Sequence, residues 1–80
     1  MKDNELIKSI VKSFIIENNF KFKIADIRKL LKESINVKIN KIKEERHDKI
    51  RVLYIYFGTK RKKCLTFIIN CDQIKIEQII

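Results

Sequence analysis

Asn36-Val37-Lys38-Ile39-Asn40-Lys41-Ile42-Lys43-Glu44-Glu45-Arg46-His47-Asp48 is the stretch on which the fold of this chain turns. Ile35, Ile39 and Ile42 recur at helical spacing, whereas Ile35, Val37 and Ile39 alternate as in a strand. Both readings stay open for 36–48. Its length and its lack of internal Gly or Pro tilt the expectation toward a helix over part of it, with Lys38, Lys41 and Arg46 exposed.

The flanks are clearer. Before it, Leu6, Ile7, Ile10, Val11, Phe14 and Ile15 follow the three- and four-residue spacing of an amphipathic helix from about Asp3 to Glu17. Asp3 or Asn4 suits its cap, and Asn18-Asn19 its stop, because Asn tolerates the left-handed backbone that closes many helices. Phe20-Lys21-Phe22-Lys23-Ile24 alternates apolar and basic residues, the pattern of a half-buried edge strand. Ile24, Ile27, Leu30, Leu31 and Ile35 then resume helical spacing, predicting a second helix over about Ala25–Ser34 with Arg28, Lys29 and Lys32 on its outer face.

After it, Ile50–Phe57 is β-branched, aromatic and apolar on both faces, as expected of a strand inside a sheet or against a partner. Gly58 supplies a permissive turn, Cys64–Ile69 returns antiparallel, Asn70-Cys71-Asp72 turns again, and Gln73–Glu77 alternates as a third strand. The tetrabasic run Lys60-Arg61-Lys62-Lys63 thus forms the tip of a hairpin, where four adjacent cations repel one another and attract a polyanion. The expected class is α+β: one domain over 1–80, helical over 1–35 and antiparallel β over 49–80, with a hairpin or three-stranded sheet.

Composition agrees with one small core. The chain has 80 residues, 45% hydrophobic and 36% charged, with 19 Lys+Arg against 10 Asp+Glu for a net charge of +9. The excess is local: 21–63 holds fifteen cations and five acids, 1–20 is neutral, and 64–80 carries −1. A field of this size is expected to seek phosphate or an acidic protein surface.

Isoleucine and lysine dominate, Pro and Trp are absent, and Gly58 is the only glycine. That bias fits an AT-rich source such as a virus or mobile element. No stretch approaches the ~18 apolar residues of a membrane span, and Met1–Glu5 is polar and mixed in sign, unlike a secretory leader. The cytoplasm, or a host's cytoplasm for a viral protein, is the expected compartment. Cys64 and Cys71 read as small apolar core residues, with a disulfide the minority alternative.

Chemistry-bearing residues are few. One glycine rules out phosphate-cradling glycine loops, and a lone His47 with two distant thiols lacks zinc spacing. His47 among Glu44, Glu45 and Asp48 reads as a solvated turn, so no catalytic, cofactor or metal site is expected. Tyr54 and Tyr56 share a strand face with Ile50 and Val52, suited to packing at a core or interface, or to stacking on bases.

The succession of helix, short extended piece, basic helix, ambiguous segment and basic-tipped hairpin resembles a winged helix-turn-helix domain. That resemblance implies a supporting helix over 27–35, a recognition helix around Lys38-Ile39-Asn40-Lys41 with Arg46, and a wing at Lys60–Lys63. Asn40 would then read adenine while the lysines hold phosphates. Glu5–Ile42 also resembles the small helical domain at the C-terminus of the chromatin protein DEK.

The expectation is therefore a non-enzymatic regulator of transcription that binds nucleic acid, double-stranded DNA above all, through Arg28, Lys29, Lys32, Lys38, Asn40, Lys41, Arg46, Lys60, Arg61, Lys62 and Lys63. The apolar strand 50–57 and the ending Ile79-Ile80 leave room for a homodimer. If 36–48 is a strand, two helices pack on an antiparallel sheet, and the basic surface suits an acidic host protein, such as a defence factor or polymerase, that the chain would inhibit.

Overall fold

The computed structural model describes residues 3–60, 62–70 and 73–79, the side chains of 78 and 79 excepted. Two helices, α1 (Asp3–Glu17) and α2 (Ile24–Ser34), precede four strands: β1 (Ile39–His47), β2 (Ile50–Phe57), β3 (Lys63–Asn70) and β4 (Gln73–Ile79). The strands form one antiparallel meander in chain order, with β1 and β4 at its edges. The α+β class holds, and the sheet has four strands because the ambiguous segment contributes one.

The tilt toward a helix over 36–48 is thereby corrected, and the cause of the misreading is visible in the register. Ile39 pairs with Phe57 and Ile42 with Ile55, although 57 and 55 are two residues apart and 39 and 42 are three. A bulge at Asn40 absorbs the extra residue, so Ile39 and Ile42 both face the core. In a regular strand they would point to opposite faces. A three-residue spacing of isoleucines, the mark of a helix, is here the mark of a bulged edge strand.

The core lies between the helices and one face of the sheet. Ile7, Val11 and Ile15 of α1 and Ile27 and Leu31 of α2 are fully buried against Leu53, Ile55, Leu65 and Phe67. Helix α1 stops as its asparagines predict. Asn19 sits at φ 53°, its N–H donates to Ile16 O (3.1 Å), and Phe20 N–H donates to Ile15 O (2.8 Å). These two bonds close the helix in a Schellman turn. Asn18 Nδ2 adds a bond to Phe14 O at 2.8 Å.

The edge strand expected over Phe20–Ile24 does not form. Phe20 is itself left-handed (φ 64°), and Phe22 O accepts from Arg51 Nη2 at 3.2 Å, so a side chain holds the carbonyl that a strand would have paired. The Arg51 guanidinium also lies over the Phe22 ring, 3.9 Å from its centroid, and pairs with Glu44. This half-buried clamp ties the link between the helices to the β1–β2 hairpin. That hairpin closes with a two-residue turn, Asp48-Lys49, where Asp48 takes the positive φ (57°) that Asp accepts more readily than most residues.

Candidate nucleic-acid interface

The basic residues singled out in the sequence separate into three places. At one end of the sheet, the β2–β3 loop (58–62) meets the start of β1. Gly58, at φ 108°, donates its N–H to Lys38 O (3.0 Å) and accepts from Asn40 Nδ2 (2.9 Å). Those bonds bring Lys38 beside a loop that carries Lys60 and Lys62, Lys41 pairs with Tyr56 two residues before Gly58, and Lys63 pairs with Phe57 at the first position of β3. All but the half-buried Lys63 are exposed. Arg61, like Cys71 and Ile80, lies outside the described residues.

Arg28, Lys29 and Lys32 form the second group, on the exposed side of α2. Arg46 stands apart on β1 toward the opposite end of the sheet, 3.7 Å from Glu44. No recognition helix gathers Lys38, Asn40, Lys41 and Arg46, because these residues belong to β1 and its approach. The amide nitrogen of Asn40 is spent on Gly58 O, which makes this residue a brace for the bulge.

Pairing sorts the cations. Among the described residues the ion pairs are Lys8–Glu5, Arg46–Glu44, Arg51–Glu44 and Lys75–Glu77. Lys38, Lys41, Lys60, Lys62 and Lys63 have none, and Asp3 is the one acid that lines the shallow cleft shared by Lys60, Lys63 and Gly58. Arg51, counted in the positive field by sequence, is removed from it by Glu44. The...Glu44...Arg51... spacing across a two-residue turn was the available signal, since residues facing each other over such a hairpin pair directly or diagonally.

The other face of the sheet is covered by no described element. Cross-strand rows put Lys43, Tyr54, Thr66 and Glu77 in one line and Glu45, Val52, Ile68 and Lys75 in the next. The Lys43 ammonium is 5.8 Å from the Tyr54 ring centroid. Cys64 is a free thiol, buried as its reading as a small apolar residue predicts, and it pairs with Tyr56 across β2 and β3.

The Glu45 carboxyl is held below the ordinary glutamate value, first by hydrogen bonding with the Tyr54 hydroxyl, which outweighs the opposing push from desolvation, and then by the weaker pull of the Lys43 and His47 charges. The same bond pushes Tyr54 up. A depressed carboxyl adds stability above its unfolded pKa and loses it as pH falls through the folded value. Tyr54→Phe is therefore expected to raise the Glu45 titration midpoint toward the ordinary range, read from side-chain carboxyl chemical shifts. An unchanged midpoint would show that Lys43 and His47 carry the effect.

No group of three His, Cys, Asp or Glu that could hold a metal is present among the described residues, and Glu44 and Glu45 point to opposite faces. A groove of about 600 Å³ runs between α1 and β4, lined by Lys12, Ile16, Phe20, Ile74 and Lys75 with amide side chains. No described helix is long and apolar enough to cross a membrane. Compared with protein-family models, curated proteins and solved structures, the chain matches none.

Proposed function

We propose that this protein binds nucleic acid, double-stranded DNA above all, without chemistry of its own, by setting the loop end of its sheet on the phosphate backbone. The observation that carries this reading is the convergence of charge: Lys38, Lys41, Lys60, Lys62 and Lys63 meet at one end without ion-pair partners among the described residues, while at the far end the Glu44 carboxylate lies against both Arg46 and Arg51. Leaving five like charges together on one rim opposes folding slightly, and a polyanion relieves that repulsion.

With β1 where a reading helix was expected, the contacts are to phosphates, and affinity is set by charge and duplex shape. A regulatory role then comes from occupancy of DNA. The strand over 39–47 also fits the second reading, an acidic host protein bound by the same cations.

A mobility shift with random-sequence duplex separates the two. At ~50 mM salt the wild-type chain is expected to shift duplex at micromolar concentration, the shift fading by ~200 mM. No shift of any duplex at low salt, combined with nuclease-resistant capture of an acidic protein, would replace the first reading with the second.

A further inference from the structure

We propose that the open face of the sheet is a homodimer interface, two copies stacked face to face about a two-fold axis that runs along the strands. The pattern that points to a second copy is a checkerboard of charge at the corners of an apolar centre. Lys43 on β1 and Glu77 on β4 end one row; Glu45 on β1 and Lys75 on β4 end the next. Rotation about an axis parallel to the strands lays β1 over the partner's β4 and β2 over the partner's β3. Each row then sets Lys43 against the partner's Glu77, and Glu45 against the partner's Lys75.

The centre is complementary by size. Tyr54 and Tyr56 of β2 meet the small side chains of β3, Thr66 and Cys64, and Val52 meets Ile68. Thr66 is 4% exposed, and its Oγ1 has no hydrogen-bond partner among the described residues.

A two-fold axis across the strands would also join unlike charges, Lys43 to the partner's Glu45. It would set Tyr54 on Val52 and Thr66 on Ile68. The axis along the strands has a second consequence. Both β2–β3 loops lie at the same end of the dimer, so two basic rims stand side by side.

Four strands at ~4.8 Å and seven residues at ~3.4 Å give a face of roughly 450 Å², below the ~800 Å² per partner of a standard stable interface. A dissociation constant on the order of micromolar is expected for so small a face.

The test is sedimentation velocity over a concentration series, with nucleic acid removed, so its result is independent of DNA binding. Wild type is expected to show a monomer–dimer equilibrium. Lys43→Glu is expected to weaken it at least tenfold, although this change lowers the net charge from +9 and would tighten association if only long-range repulsion mattered.

Lys43→Glu with Glu77→Lys restores the wild-type charge and is expected to restore the dimer. Lys43→Glu with Glu45→Lys restores the charge equally and is expected not to. Lys43 and Glu77 are exposed, and circular dichroism confirms that each variant is folded. The proposal is overturned by a wild-type chain that stays monomeric at ~0.5 mM, about a hundred times or more above a constant of a few micromolar, or by tighter association of Lys43→Glu. Rescue by the Glu45 swap instead of the Glu77 swap overturns it too, as does a monomer whose tyrosine fluorescence is quenched by single-stranded oligonucleotide, which would give the face to bases.

Discussion

Phe67→Ala is expected to destabilise the protein by about 3–5 kcal/mol, the usual cost of removing a buried phenyl ring and leaving a cavity. Phe67 is fully buried on β3, a central strand, paired with Leu53 on one side and Ile76 on the other beneath both helices. An 80-residue domain at ~0.05–0.15 kcal/mol per residue holds roughly 4–12 kcal/mol in all, so this one change removes a large fraction. Urea unfolding followed by circular dichroism measures it, with Ile16→Ala, 49% exposed on α1, as a control expected to cost under ~0.5 kcal/mol. A loss below about 1.5 kcal/mol for Phe67→Ala would mean that the core is not centred on β3.

Where the chain's hydrophobic period is long and unbroken, local structure follows from sequence. Helix α1 and strand β2 have the bounds that their periodicity predicts, and Asn19 takes the left-handed backbone that its side chain allows. The failures come where a long-range contact overrides a short pattern. Phe20–Ile24 alternates like a strand, yet its carbonyl at Phe22 is held by Arg51, twenty-nine residues on. Ile39 and Ile42 have helical spacing because a bulge shifts the register, and nothing local distinguishes a bulge from a helical turn when only three apolar residues define the pattern. The charge field was legible in its position along the chain, but the Glu44–Arg51 pairing could be read only once 39–47 was known to be a strand, because the hairpin folds one residue against the other.

The same hairpin geometry makes sense of a strand that is apolar on both faces. Leu53, Ile55 and Phe57 belong to the core, while Val52, Tyr54 and Tyr56 line the face that no described element covers. A dimer on that face would join two basic rims at one end. Their mutual repulsion opposes association in the absence of a polyanion, and phosphate between them favours it, so DNA binding and dimerisation should strengthen each other. Lower salt then acts in two directions, tightening the grip on DNA and loosening the free dimer.

Replacing all four residues of the run Lys60-Arg61-Lys62-Lys63 by alanine is expected to remove about three units from a salt slope of roughly −4 to −5 in log K against log salt. Each phosphate contact contributes close to −0.9, so three to four lost contacts account for the change. At ~0.15 M salt that is a loss on the order of 10²–10³ in affinity, the largest effect on binding that any single stretch of the chain can produce. Lys60 and Lys62 are exposed and Lys63 is half-buried at the start of β3, none of them in the core, so circular dichroism should be unchanged. Fluorescence anisotropy with a labelled duplex from ~50 to ~300 mM salt gives both slopes in one experiment. Neutralising Arg28, Lys29 and Lys32 in parallel asks whether α2 belongs to the same footprint: about 0.9 is lost per cation that touches phosphate, and nothing if that face is only solvated. A run of four alanines that leaves the slope unchanged would take the hairpin tip out of the interface and, with it, the reason for holding those unpaired lysines together.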